Sequence, residues 1–354
     1  MTADVRFVNQ IEQGDCVSLL AEMPEATADL VFADPPFNIG FNYDIHDDRM
    51  THGDYVRWTR DWMRACSRIL KPTGSLWIAI GAEFAAEIKR LGERMGLTLR
   101  NWIIWHYTFG QHTRKKFSRS HTHLFYFTKN AKEFTFNDKA VRIFSDREKE
   151  YHDQRANREG RLPDDVWDEF PRLSAKNGER TGFHPCQMPE GLLARIIRVS
   201  SNPGDLVVDP FSGSGTTLVT AKKLNRNYFG TELSTDYADG ARKRLALTKP
   251  MADYPGEPHH WPEEHLEVLK VAYSEFKATT VLLNKHPDLM ERFAERFNWR
   301  LQASGCLHTE YSTEAVARCL ERLRSHTQLP RIRTIAKERR SDRPVHPDEP
   351  ELFE

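Results

Sequence analysis

Two acids in this sequence stand at the ends of short apolar runs, each followed by residues that leave the backbone open to a ligand. Leu30-Val31-Phe32-Ala33 ends in Asp34-Pro35-Pro36-Phe37, and Leu206-Val207-Val208 ends in Asp209-Pro210-Phe211-Ser212-Gly213-Ser214-Gly215-Thr216. In the first, the prolines fix φ and carry no N–H, so the backbone beside the Asp34 carboxylate offers only carbonyl acceptors, with the Phe37 ring close by. Two acceptors next to a π-face suit an –NH2 group on a flat ring, which has two hydrogens to donate and a face to stack. In the second, Gly213 and Gly215 allow close backbone approach, and the helix that follows opens with free N–H groups. The third glycine of a dinucleotide fingerprint is replaced by Leu218, and no Gly-Lys-Ser/Thr follows, so a triphosphate loop is unsupported. About 23 positions beyond Asp209, Tyr228-Phe229-Gly230-Thr231 ends in Glu232, the separation at which a carboxylate reaches ribose hydroxyls. Strand, loop, helix, strand and terminal acid together read as a nucleoside-cofactor site.

Plainer uses exist for the same residues. Asp34-Pro35-Pro36 can initiate a turn with Phe37 in the core. Asp15, after the short strand Phe7 to Ile11 and Gly14, can cap a helix over Val17 to Met23. The surrounding elements weigh the choice. A polar loop over 38–54 precedes a helix carrying Tyr55, Trp58, Trp62, Cys66, Ile69 and Leu70 on one face, and Lys71-Pro72-Thr73-Gly74 stops it. Ser75 to Ile80 reads as a buried strand and Glu83 to Met95 as the next helix. This alternation predicts an α/β fold, a doubly wound parallel sheet covered on both faces. Ligands bind such sheets at the carboxyl edge, which is where Asp34 and Asp209 are delivered.

At 354 residues the chain has room for one large core and a smaller domain. Its 51 basic and 51 acidic residues cancel, so a polyanion must be held by a local patch rather than a global field. Five scattered cysteines without a Cys-x-x-Cys pair argue against a disulfide framework or structural zinc, and no metal site is expected. The N-terminus lacks a signal pattern and no apolar run is long enough to span a bilayer, so a cytoplasmic protein without a membrane partner is expected.

From Leu99 the texture changes. Trp102, Trp105, Tyr107, Phe109, Phe117 and Phe125 to Phe127 interleave with Arg114-Lys115-Lys116, Arg119, His112, His121 and His123. That mixture suits phosphate contacts and base stacking, or an aromatic sheet edge with a solvated charge run. Residues 129–183 are charged and without period, a length of irregular chain that is functional or disordered. Residues 250–262, rich in proline, read as a linker. Three amphipathic helices then follow over 263–330: Leu266 to Phe276, Leu289 to Phe297, and Val316 to Leu323, the last capped by Ser312 or Thr313. They make a small helical domain suited to DNA or protein binding or to packing alone, and residues 331–354 read as a disordered tail.

Asp34-Pro35-Pro36-Phe37 resembles the catalytic tetrapeptide of the amino-group DNA methyltransferases, and Asp209 to Gly215 resembles their S-adenosylmethionine motif. With the catalytic motif first and the cofactor motif last, the order is similar to that of the permuted β group, over about residues 5–247. The resemblance implies a circularly permuted, Rossmann-like catalytic domain over 1–249, with an inserted target-recognition region over about 107–183. Phe37 stands where Tyr is commoner. His184-Pro185-Cys186-Gln187-Met188-Pro189 stands where the family has His-Pro-Thr-Gln-Lys-Pro, so Met188 replaces a lysine that would meet the methionine end of the cofactor. Pro185-Cys186-Gln187 also matches the nucleophile tripeptide of the cytosine-C5 methyltransferases, but those enzymes place it after the cofactor loop and Cys186 lies before it.

The resemblance implies methyl transfer from S-adenosylmethionine to adenine N6 in double-stranded DNA, with base flipping and direct displacement. Cytosine N4 is the alternative, because those enzymes more often carry Ser at position 34; RNA or protein-glutamine methylation is a more distant one. It assigns Asp34, Pro35, Pro36 and Phe37 to the target amine and Glu232 to the ribose. Asp209, Pro210, Phe211, Ser212, Gly213, Ser214, Gly215 and Thr216 go to the cofactor, Phe211 and Gly213 to Thr216 of them to its methionine and sugar region, and His184 and Gln187 are cofactor-binding too. Asp15 and Cys16 go to the adenine edge by family position, and Arg114, Lys115, Lys116 and Arg119 to DNA phosphates. A restriction-modification role leaves room for a homodimer and a cognate restriction enzyme as partners.

Overall fold

The apolar runs that end in acids form the middle of the sheet. The computed structural model describes residues 5–41, 44–45, 48–111, 114–115, 117–143, 161–173, 179–250, 263–304, 311–325 and 329. The chain divides into two compact units, Met1–His260 and Trp261–Glu354. In the first unit the elements are β1 (Gln10–Gln13), α1 (Cys16–Glu22), β2 (Ala28–Ala33), α2 (His52–Ile69), β3 (Leu70–Ile80), α3 (Ala85–Arg94), β4 (Thr98–Gln111) and β5 (Arg119–Thr128). They continue with β6 (Val166–Trp167), α4 (Glu190–Ser200), β7 (Leu206–Asp209), α5 (Thr216–Lys223), β8 (Asn227–Glu232) and α6 (Thr235–Leu247).

The strands form one sheet in the order β1-β8-β7-β2-β3-β5-β4-β6. All neighbours pair in parallel except β5, which runs against β3 and β4. Every residue of β2 is buried, as a strand covered on both faces requires. Its alternate side chains feed two cores: Leu30 and Phe32 pack with Trp77, Leu192, Ile196 and Leu218 on one face, and Val31 and Ala33 with Trp62, Cys66, Leu76 and Ile88 on the other. Asp29 ties three strands together, its carboxylate accepting from Lys71 Nζ at 2.8 Å and from the Leu206 amide at 2.9 Å.

Several boundaries differ from the sequence reading for physical reasons. The Lys71-Pro72-Thr73-Gly74 turn signal ends α2 but does not delay β3, which starts at Leu70. Ala28 pairs with Leu70 and Leu30 with Ser75, so the extra residues are absorbed as a bulge. The region 107–183 begins inside β4 and contains β5, and both are strands of the main sheet rather than an appended module.

The second unit has four helices among the described residues, where three were expected: α7 (Glu263–Phe276), α8 (Thr280–Lys285), α9 (Pro287–Ala303) and α10 (Thr313–Ser325). The additional one, α8, is too short for a period to show; Thr279 caps it by accepting from the Leu282 amide. Ser312 caps α10, accepting from Ala315 N. Leu269, Tyr273, Phe293, Phe297, Val316 and Leu320 form this unit's own core. The tail at 331–354, and all of the linker but Pro250, lie outside the described residues. No described helix is long and apolar enough to cross a membrane.

Candidate active site

Four adjacent strands each bring an acid to one sheet edge. Across the sheet, Asp34 follows β2, Asp209 ends β7, Glu232 ends β8, and Asp15 follows β1. The register sets their stagger, since Val31 pairs with Val208, Asp209 with Gly230, and Gln13 with Glu232: Asp34 and Glu232 lie two positions beyond Asp209, and Asp15 two beyond Glu232. They line a cavity of about 350 Å³, within the ordinary range of small-molecule sites. Pro35, Pro36, Phe37, Cys16, Pro210, Phe211, Ser212, Gly213, Ser214, Thr216, His184 and Gln187 line it too. Gly215 does not; it starts α5 in the left-handed region at φ 73°, where a Cβ would meet that of Ala241 at 2.9 Å. Of the cations assigned to DNA, Arg119 lines the cavity and is paired with Glu83, and Arg114 and Lys115 are exposed. Lys116 and His112 lie outside the described residues.

The Asp34-Pro35-Pro36-Phe37 turn is fixed from α2. Tyr55, buried, donates its hydroxyl to the Pro36 carbonyl at 2.6 Å. Asp34 is held protonated well above the usual carboxylate range, at about 8, because burial disfavours its charge and Asp209 repels it, against a smaller pull from Arg172. Asp209 is likewise pushed up to about 7 by burial, with Glu232 adding repulsion and hydrogen bonds from Thr217 and the Phe211 amide opposing. Both carboxyls line the cavity, and charge on Asp209 raises the proton affinity of Asp34.

The glycine-rich loop is held by its neighbours. Glu232 accepts from the Gly213 amide at 2.7 Å and, through its other oxygen, from the Ser234 amide at 2.9 Å. Gly213 has φ 48° and lies under the His184 ring, whose atoms a Cβ would approach to 2.9 Å. His184 accepts from the Cys186 amide and packs edge-on to Tyr237; burial, with Arg180 adding to it, pushes its pKa down to about 4, so the ring is neutral. Ser212 donates to the Asp209 carbonyl at 3.1 Å. Beneath the loop Arg244 donates to Thr216 Oγ1 at 2.8 Å and to Glu190, which also accepts from Lys223. Phe211 packs edge-on against Trp58 and Trp62.

Two assigned residues have structural duties as well as a place in the cavity. Asp15 caps α1, accepting from the Ser18 amide at 3.0 Å. Gln187 accepts from the Thr181 amide and hydroxyl and donates to the Glu179 carbonyl, so its side chain clamps the chain at 179–181. Cys16 is buried and its thiol is pushed up to about 12, by burial first and Asp15 second, so it is no nucleophile.

Sequence reasoning missed Tyr55, Arg172, Asp44, Asp48 and Ser234. Tyr55 was legible only as one aromatic on a helix face. Asp48 had a signal: an acid beyond Asn38-Ile39-Gly40 is the kind of residue that collects turn amides. It accepts from the amides of Asn38, Ile39 and Phe41 at 2.7, 3.0 and 2.9 Å.

Residues 28–243 match the family profile of the N6/N4 methylases, described as DNA methylase. The type II methyltransferase M.HpaI of Haemophilus parainfluenzae is 35% identical over 232 residues, covering 65% of this chain and 72% of that protein. The DNA adenine methyltransferase YhdJ of Escherichia coli (strain K12) is 32% identical over 298 residues, covering 81% and 97%. Among solved structures, the PvuII DNA methyltransferase, cytosine-N4-specific, superposes with a TM-score of 0.54 at 20% identity, over 66% of this chain and 85% of that one, a likeness of fold.

Proposed function

The chain belongs to the N6/N4 DNA methylase family, and from that premise we propose that it methylates adenine N6 at specific sites in duplex DNA, with S-adenosylmethionine as methyl donor. The observation that carries this reading is the sheet edge itself, where the Asp34 turn and the Glu232-anchored glycine loop open into one cavity. S-adenosylmethionine supplies an electrophilic methyl on a positively charged sulfur. The cavity fits such a cation: Asp15, Asp34, Asp44, Asp209 and Glu232 line it against Arg119, Arg172 and Arg180. Burial first, and neighbouring carboxylates second, raise the proton affinity of Asp34, Asp209 and Glu232, and a bound sulfonium would favour their ionised forms. Both Glu232 oxygens accept backbone amides, and the carboxylate's roughly four lone-pair sites leave room for a ribose hydroxyl.

Phe211 and Gly213 to Thr216 take the methionine and sugar region, with His184 and Gln187 beside them, and Asp15 with Cys16 takes the adenine edge. For the target, Tyr55 occupies the Pro36 carbonyl, so the Pro35 carbonyl and the Asp34 carboxylate receive the two amine hydrogens. Held so, the nitrogen lone pair is drawn out of the ring and turned toward the methyl. The cofactor would supply its methyl to that lone pair, the C–S bonding pair remaining with sulfur, and Asp34 would take the proton that nitrogen loses. The target nitrogen is inaccessible in a duplex, so the base is flipped out and stacked on Phe37. Adenine is favoured by Asp rather than Ser at position 34, and YhdJ is by name an adenine methyltransferase. Residues 107–183 carry sequence specificity, with Arg114, Lys115, Lys116 and Arg119 gripping phosphates. Transfer of labelled methyl to DNA, tRNA and protein extracts in parallel tests the substrate class. Label in DNA is expected, and label confined to tRNA or protein overturns the reading.

A further inference from the structure

We propose that Ile39 and Ile45, which follow the Asp34-Pro35-Pro36-Phe37 turn, enter the duplex as an apolar wedge and fill the space left by the flipped base. This rests on the DNA reading above and names the element that would do the opening. Ile39 is 52% exposed and Ile45 58%, and Phe41 nearby is 38% exposed. All three also line the mouth of the cavity that holds Asp34. Exposed aliphatic side chains are ordinary when scattered, but these are concentrated on one loop at the rim of the site.

The exposure of Ile39 is imposed by the hydrogen bonds around it. Asp48 is 2% exposed, and its carboxylate collects the amides of Asn38, Ile39 and Phe41 while its carbonyl takes that of Gly40 at 2.9 Å. Asn38, in the left-handed region at φ 56°, exchanges hydrogen bonds with both backbone groups of Met50 at 2.9 and 2.7 Å. Asp44 accepts from Ser234 Oγ at 2.5 Å, which ties the loop to the N-cap of α6 on the cofactor side. At the loop's ends Phe37 and Met50 pack against the core. Ile39 is therefore presented by a backbone whose amide is already satisfied, and Ile45 follows Asp44, whose carboxylate is anchored on Ser234. A vacated base position is flat, apolar and bounded by stacked rings, and branched aliphatic side chains are what proteins insert there. The exposed Arg114 and Lys115 and the cavity-lining Arg119 belong to the same unit and can neutralise flanking phosphates.

The test uses the full chain and a duplex carrying its methylated site. Ile39→Ala/Ile45→Ala should lower kcat/KM on the paired duplex by roughly tenfold or more, and lower it far less when the target base faces an abasic site and needs no unpairing. The rise in fluorescence of 2-aminopurine at the target position should be lost in parallel, with cofactor affinity unchanged by titration calorimetry. Ile39→Leu/Ile45→Leu should retain wild-type behaviour on both duplexes. Equal losses on both duplexes, no loss on the paired one, or weakened cofactor binding that accounts for the loss would each overturn the wedge. Failure of the wild-type chain to methylate either duplex would instead sink the DNA reading, and the wedge with it.

Discussion

Asp34 and Asp209 are acids whose protons are held by their surroundings. Because burial and the neighbouring carboxylate raise Asp34 from an ordinary 3.8 to about 8, the folded chain binds a proton there, between those values, that the unfolded chain has lost. Stability therefore falls as pH rises through that window. Asp34→Asn, which mimics the neutral acid, should raise the thermal midpoint more at pH 9 than at pH 5, and an equal gain at both would show that Asp34 is not perturbed. In turnover the carboxylate is the useful form, so single-turnover rates should climb along an acidic limb set by Asp34. Asp209→Asn removes the repelling charge and keeps an oxygen for the Phe211 amide, so the limb should move to lower pH; a limb that stays in place denies the coupling. Tyr55→Phe frees the Pro36 carbonyl. It should cost about 1 kcal/mol of stability by denaturant titration and lower kcat, while leaving cofactor affinity intact.

At the scale of elements, the parts of the site that lie along a strand and its turn were legible, because a buried parallel strand writes its whole length as an apolar run and its end as a break. Asp34, Asp209 and Glu232 were found that way. Tyr55, Asp48 and Ser234 were not, because each acts on a partner far away in the chain or across a loop, and no local pattern records that partner. The region 107–183 was read as one insert because its aromatic and basic residues obscure strand alternation, whereas Phe125 and Phe127 of β5 are core residues under α3. Asp15 left two uses open, capping or the cofactor edge. The structure shows the cap, and places the same residue in the cavity wall. Packing between elements gives a further expectation. A Cβ on Gly230 would clash with the Ser212 and Leu218 side chains, so Gly230→Ala must shift those side chains or the glycine loop and α5 that carry them. A loss of about 1–3 kcal/mol in chemical denaturation is expected, together with weaker cofactor binding; an unchanged midpoint would mean the loop gives way freely.

For the whole molecule, each unit has its own core, with the acids and the cavity all in the first. If specificity resides in residues 107–183, a chain ending at His260 should methylate the same sequence as the full chain, as read by methylome sequencing. A folded truncation that methylates a different sequence would move specificity to the helical unit. The acids at the sheet edge, the anchored loop and the Asp34 turn all serve one claim, that this chain places a methyl group on adenine N6 through Asp34. Mass spectrometry of nucleosides digested from the DNA of cells expressing the protein tests it most directly. N6-methyladenine should rise over background with the wild-type chain and not with Asp34→Ala, although that variant still binds S-adenosylmethionine. A rise in N4-methylcytosine instead, no methylated nucleoside at all, or the same yield from Asp34→Ala would contradict the account.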